Sequence, residues 1–168
     1  TAYYNHHTSG VYIKGLKMQE FALPIGNNDT IKFISQNIAY PNNGSLLFPF
    51  PLNASTDIHD TVTSQIAFQL TYAPLFNNTP GFIKRNTVNI LHYERDIQIV
   101  LPYANDTLDA VILEVNSTSV DSFYINNAPV PAMLLNLLQL QQGDTSYISK
   151  SYVFGKGYAY PLAEATFT

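Results

Sequence analysis

Along most of the chain apolar and polar residues alternate with period two, the spacing of strands that bury one face. Between Ser9 and Leu16, Val11 and Ile13 share one face and Tyr12 and Lys14 the other. Gly15 then breaks the phase, and Leu16 and Met18 continue it in the opposite parity. A glycine at a phase slip predicts a bulge or a tight bend, dividing a leading strand, residues 1–14, from a body, residues 15–168. Ile31 to Tyr40 predicts a strand whose parity shifts after Phe33. Leu46 to Leu52 is apolar but contains Pro49 and Pro51, which lack ladder donors, so an edge strand or extended connector is expected. Thr61 to Tyr72 is the cleanest strand, with Val62, Ile66, Phe68, Leu70 and Tyr72 on one face and Thr61, Thr63, Gln65, Gln69 and Thr71 on the other.

Asn86 to Tyr93 and Asp96 to Leu101 predict two strands separated at Glu94-Arg95-Asp96 by a hairpin or bend. Leu108 to Val115 and Val120 to Ile125 predict a further pair, with a hairpin around Asn116 in the Asn-Ser-Thr-Ser stretch. Only Ala132 to Gln142 has helical spacing, with Leu134, Leu137, Leu138 and Gln141 on one side, Pro129 and Pro131 before it and Gly143 after it. Ser146 to Phe154 and Tyr158 to Phe167 read as closing strands across Gly155-Lys156-Gly157. Roughly nine or ten strands with Pro-, Asn- and Gly-rich connections predict an all-β sandwich of immunoglobulin-like or jelly-roll-like kind with one short helix.

Composition narrows the function classes. At 168 residues the chain suits one domain, or one domain plus an arm. Only 12% of residues are charged, so Asn, Thr, Ser and Gln must supply the polar surface. A net charge of −4 without a basic run argues against a nucleic-acid partner, and no apolar run is long enough to span a bilayer. The chain contains no cysteine, which removes disulfides, zinc-thiolate sites and thiol catalysis together. Its first residue is Thr rather than Met, as expected of a processed chain.

Six sequons of the N-x-S/T type stand at Asn28, Asn43, Asn53, Asn77, Asn105 and Asn116. Random placement of the same residues would give about two. Most fall beside Pro and Gly, where loops are expected, so covalent N-linked glycans and an extracellular location are expected; no other cofactor is called for. Pro80 directly after the Asn77 sequon is expected to lower its occupancy.

Catalytic patterns are weak. His6 and His7 are adjacent, and neighbours on a strand face opposite sides, so the pair is unsuited to one metal ion. His59 lies between Asp57 and Asp60, as an acid–base or metal site would need, although a polar loop has the same composition. His92 falls in a strand. Glu94, Asp96, Asp106, Asp109 and Glu114 are numerous enough for a glycosidase-like carboxylate pair, but spacing selects none. There is no G-x-S-x-G elbow, phosphate-binding glycine loop or EF-hand loop. An enzyme is not expected, and neither is a metal. Lys32 and Lys150 lie in strand-like segments and are the candidates for a self-formed isopeptide crosslink to Asn or Asp.

A chain that opens on a β-strand arm, lacks Cys, is rich in Tyr, Asn and Thr, poor in charge and dense in sequons resembles secreted filament subunits of thermoacidophilic archaea, above all the pilin of the surface filament called the thread. It is also similar in layout to the archaeal bundling pilin and to bacterial biofilm-matrix fibre proteins. The resemblance implies head-to-tail homopolymers of identical subunits, used in adhesion or biofilm formation. In these the N-terminal strand of one subunit completes the open β-sandwich of the next, without a membrane span.

Donor strands supply main-chain hydrogen bonds for affinity and alternate side chains for groove pockets. Twelve extended residues reach on the order of 40 Å. On this reading the donor face is Tyr3, Val11 and Ile13, with Ala2 and Tyr4 taking part if the parity slips. The acceptor groove draws on Ile66, Phe68, Leu70 and Phe167. A β-sandwich capsid or surface-layer domain, and a secreted carbohydrate-binding protein or carbohydrate-active enzyme, are the alternatives.

Overall fold

A computed structural model of the chain describes residues 1–26, 28–42, 44–51, 57–101, 106–158 and 160–167. Twelve strands and one short helix are found among them. In chain order these are β1 (Ala2–His7), β2 (Gly10–Met18), β3 (Phe21–Pro24), β4 (Thr30–Phe33), β5 (Gln36–Ala39), β6 (Ser45–Pro49), β7 (Ile58–Tyr72), β8 (Phe76–Leu101), β9 (Asp106–Ile125) and β10 (Ala128–Pro129). The helix α1 (Ala132–Leu137), β11 (Asp144–Gly155) and β12 (Pro161–Phe167) follow.

Two antiparallel sheets pack together as an all-β sandwich, as the alternation predicts. The large sheet runs β12-β11-β9-β8-β7-β4-β3, with β10 paired to β9. The small sheet runs β1-β2-β5, with β6 also paired to β2. The parity shift after Phe33 marks a change of sheet. Phe33 ends β4 beside Phe68 of β7, whereas β5 begins at Gln36 and pairs with β2. The Gln36 side chain bridges the step, donating to the Ala67 carbonyl and accepting from the Ala67 N–H, both at 2.8 Å. It stands in for a missing ladder partner, and Gln142 does the same for Phe123, at 2.7 and 2.9 Å.

One face of the large sheet carries two apolar patches. In the first, Leu91, Val111, Leu113, Val115, Tyr152 and Phe154 meet Val11 and Phe48 of the small sheet, with the Phe48 and Phe154 rings 3.8 Å apart. In the second, Phe68, Leu70, Phe123 and Ile125 pack against Val130, Leu134 and Leu135 from the α1 region. Between them lies a polar band. Asn89, 6% exposed, accepts from Ser117 Oγ at 2.7 Å and donates to Ser45 Oγ at 3.1 Å. Asp60 accepts from the Leu46 N–H at 2.9 Å across the sandwich. Thr87 and Ser119 hydroxyls meet at 2.8 Å, and Arg85 grips Asp121 through two bonds of 2.7 and 2.6 Å. The band is hydrogen-bonded throughout, which is the condition for burying it without loss.

Three expectations from the sequence are corrected. Glu94-Arg95-Asp96 is no hairpin: β8 runs through it, and Glu94 is the extra residue of a bulge opposite Leu113 and Ile112. Among the described residues the pairing of β7 with β8 starts only at Leu91, so the bulge lies beyond the described β7 ladder. Asn116 is no turn either. β9 continues through it, with Ile90 on one side and Ser149 on the other, because the polar Asn-Ser-Thr-Ser stretch satisfies the band just described. The helix stops at Leu137 rather than Gln142, since Gln139 takes a positive φ of 55°. Leu134 and Leu135 face the core and Leu137 is exposed, so the buried side of α1 is rotated from the expected one.

Candidate functional site

Two features stand out: the N-terminal hairpin and an open apolar groove. β2 is the central strand of the small sheet. It pairs with β1 on one side and, on the other, with β6 from Gly10 to Ile13 and with β5 from Gly15 to Met18. The hand-over falls at Lys14, the unpaired residue of a bulge opposite Tyr3 and Tyr4. Gly15 sits against β5 so closely that a Cβ there would collide with the Ile38 carbonyl. The phase slip read from the sequence is therefore a bulge, and the strand runs on through it.

In the single chain the leading segment is folded back. β1 lies along β2, and the Lys17 N–H donates to the Thr1 carbonyl at 2.7 Å. Of the candidate donor residues, Val11 is 1% exposed within the sandwich core and Ile13 is half-buried. Tyr3 and Tyr4 are 45% and 52% exposed, and Ala2 is half-buried at the hairpin's end.

The groove lies on the second apolar patch. Its floor is Phe68, Leu70 and Ile83, its walls are Leu23, Ile31 and Phe33 on one side and Leu134, Leu135 and Leu138 on the other, and its volume is about 260 Å³. It is open because the small sheet covers only the other half of the face. Phe21, on the edge strand β3, stacks on Phe33 at 4.6 Å. Of the candidate acceptor residues Phe68 and Leu70 line the groove. Ile66 is half-buried on the same strand outside the lining, and Phe167 is exposed on the edge strand β12. The groove walls from β3 and α1 were missed in the sequence, since Leu23 and Leu138 look like any other core leucine.

The candidate chemical groups scatter. Asp57 hydrogen-bonds His92 Nδ1 at 2.6 Å, Asp60 turns into the inter-sheet band, and His59 is exposed, so the three do not converge. His6 meets Tyr160 and His7 meets Tyr12. Asp96 pairs with Lys156 at 3.2 Å and Asp109 accepts from Gln98 at 3.2 Å. Asp106 accepts from the Thr107 N–H at 2.9 Å, and Glu94 lies 3.7 Å from Arg95. Lys32 pairs with Glu20 at 3.0 Å and Lys150 with Glu164 at 2.5 Å. Among the described residues no group of three or more His, Asp or Glu is placed to hold a metal ion.

The hydrogen bond to Asp57, helped by the charges of Asp57, Glu114 and Glu94, holds His92 above the usual histidine pKa. A raised folded-state pKa gives stability that is full below the unfolded value and lost as pH rises through the folded one. By NMR, His92 should titrate above free histidine, and Asp57→Asn should bring it back down. An unchanged midpoint in Asp57→Asn would show that the contact does not persist in solution.

Comparison with family models, curated proteins and solved structures finds no match. No helix among the described residues is long and apolar enough to cross a membrane.

Proposed function

We propose that this protein is a structural subunit of an extracellular, cell-surface filament that polymerises head to tail, the N-terminal strand of one subunit completing the sandwich of the next. One observation carries the reading: among the described residues β1 is an edge strand whose ladder partner is β2 alone, with Tyr3 and Tyr4 about half exposed, while the described residues of the same sandwich leave an apolar groove open. Exposed apolar grooves and free strand edges are liabilities unless something covers them, and a strand from an identical subunit covers them repeatedly. Donor and acceptor surfaces differ, so the contact propagates as an open fibre.

The separable piece is residues 1–7, because Val11 is buried in the core and β2 is the central strand of the small sheet. Tyr3 is its anchor, with Tyr4 on the opposite face of the strand taking that place if the parity slips: a large, flat side chain with a polar tip suits a groove with a wet rim. Adhesion or biofilm formation is the role such a fibre would serve. N-linked glycans fit best at Asn28 and Asn77, both exposed. Asn116 is half-buried in mid-strand and accepts from the Tyr147 hydroxyl at 2.8 Å. Asn43, Asn53 and Asn105 lie outside the described residues.

Electron microscopy of the full chain against a chain lacking residues 1–7 tests this. Fibres are expected from the first. The second should remain a folded monomer that takes up a synthetic peptide of residues 1–7. Equal assembly by both chains, or none by either, would overturn the reading.

A further inference from the structure

The β1–β2 hairpin carries a second consequence, independent of the filament. We propose that two copies of this chain exchange β1 reciprocally, each laying its β1 on the β2 of its partner, to give a closed two-fold dimer. The register makes this possible. Tyr4 is opposite Ile13, Asn5 opposite Tyr12, His6 opposite Val11 and His7 opposite Gly10. The series closes by one residue from each side per step, so its next pair is Thr8 with Ser9. Within one chain those two residues form the turn and cannot pair. Between two opened chains Thr8 of each falls opposite Ser9 of the other, and the two hairpin ladders fuse into one antiparallel ribbon. Every pair of the closed hairpin is kept, and two are added.

The turn itself is poorly suited to staying closed. Two-residue hairpin turns that match strand twist need a positive φ at one or both central positions, which Asn-Gly or Asp-Gly supplies. Here the pair is Thr-Ser, and neither residue has a positive φ. Thr is a strand former, so the opened sequence His7-Thr8-Ser9-Gly10-Val11 extends without conflict. Opening leaves the body intact, because the Ser9 carbonyl accepts from the Phe50 N–H at 2.9 Å on the side facing β6, away from β1. Exchange of an identical element is a low-cost route to dimers, and mass action favours it as concentration rises. The exchanged dimer occupies β1 without exposing a new acceptor, so it ends growth rather than extending it.

The chain has no native cysteine, which gives a clean test. The double variant Tyr4→Cys with Ile13→Cys places two thiols opposite one another. After oxidation at high protein concentration, non-reducing electrophoresis should show a covalent dimer, and the dimer share should fall on dilution before oxidation. Adding Thr8→Asn and Ser9→Gly supplies the favoured turn and should return the product to an internally crosslinked monomer. Oxidation to monomer alone at high concentration would overturn the exchange, as would a dimer that persists unchanged with the Asn-Gly turn. Electron microscopy of the unmodified chain keeps the two readings apart. Fibres without the covalent dimer would leave the filament standing and remove the exchange, and the dimer without fibres would do the reverse.

Discussion

Leu113→Ala should destabilise the fold by about 3–5 kcal/mol, and Leu70→Ala by only about 2–3 kcal/mol, although both leucines are fully buried. The transfer cost of the removed methyl groups is the same at both positions. What differs is the space left behind. Leu113 sits in the centre of β9 between the two sheets, among Val11, Phe48, Leu91 and Phe154, and strands tied into ladders on both sides cannot move inward to fill a void. Leu70 borders the groove, whose walls are the edge strand β3 and the short helix α1, and those can settle. Urea unfolding reads the difference as a shift of midpoint at unchanged slope. Equal losses would mean that the groove is closed in solution.

The layer architecture was legible because alternation survives wherever one face is buried, and Thr61 to Tyr72 shows it most plainly. The change of sheet after Phe33 was visible as a parity shift, but its meaning was not: a strand that bends and a chain that crosses to another sheet leave the same trace. Turn signals misled where polar residues serve the interior. Asn116 to Ser119 has the composition of a loop, yet Ser117 and Ser119 face the band of Asn89 and Thr87. Similarly Glu94 is an insertion in a strand that continues, since a bulge and a bend both appear as charges interrupting a period. Of the proposed site, the strand character of the leading segment was legible in the alternation of Val11, Tyr12, Ile13 and Lys14. The groove was not, because it is defined by what fails to cover Phe68 and Leu70, and absence of a neighbour has no sequence signature.

Ile83→Phe should abolish fibre formation while leaving a folded monomer. Ile83 lies on the floor of the groove, half-buried between Phe68 and Phe123, and a ring there extends into space that is open rather than into packed atoms. Adding bulk to a filled core costs about 1–3 kcal/mol. Here the ring gains contacts instead, so the melting temperature should hold or rise slightly. The effect on assembly is the opposite, because a donor strand inserts alternate side chains into pockets, and a groove filled from within has none to offer. The variant should still donate its own first strand. Mixed with the unsubstituted chain it should therefore cap growing fibres at one end and shorten them in proportion to its share, visible by electron microscopy. Full-length fibres from Ile83→Phe alone would show that the acceptor surface lies elsewhere, with the free edge of β12 and its exposed Phe167 the next place to look.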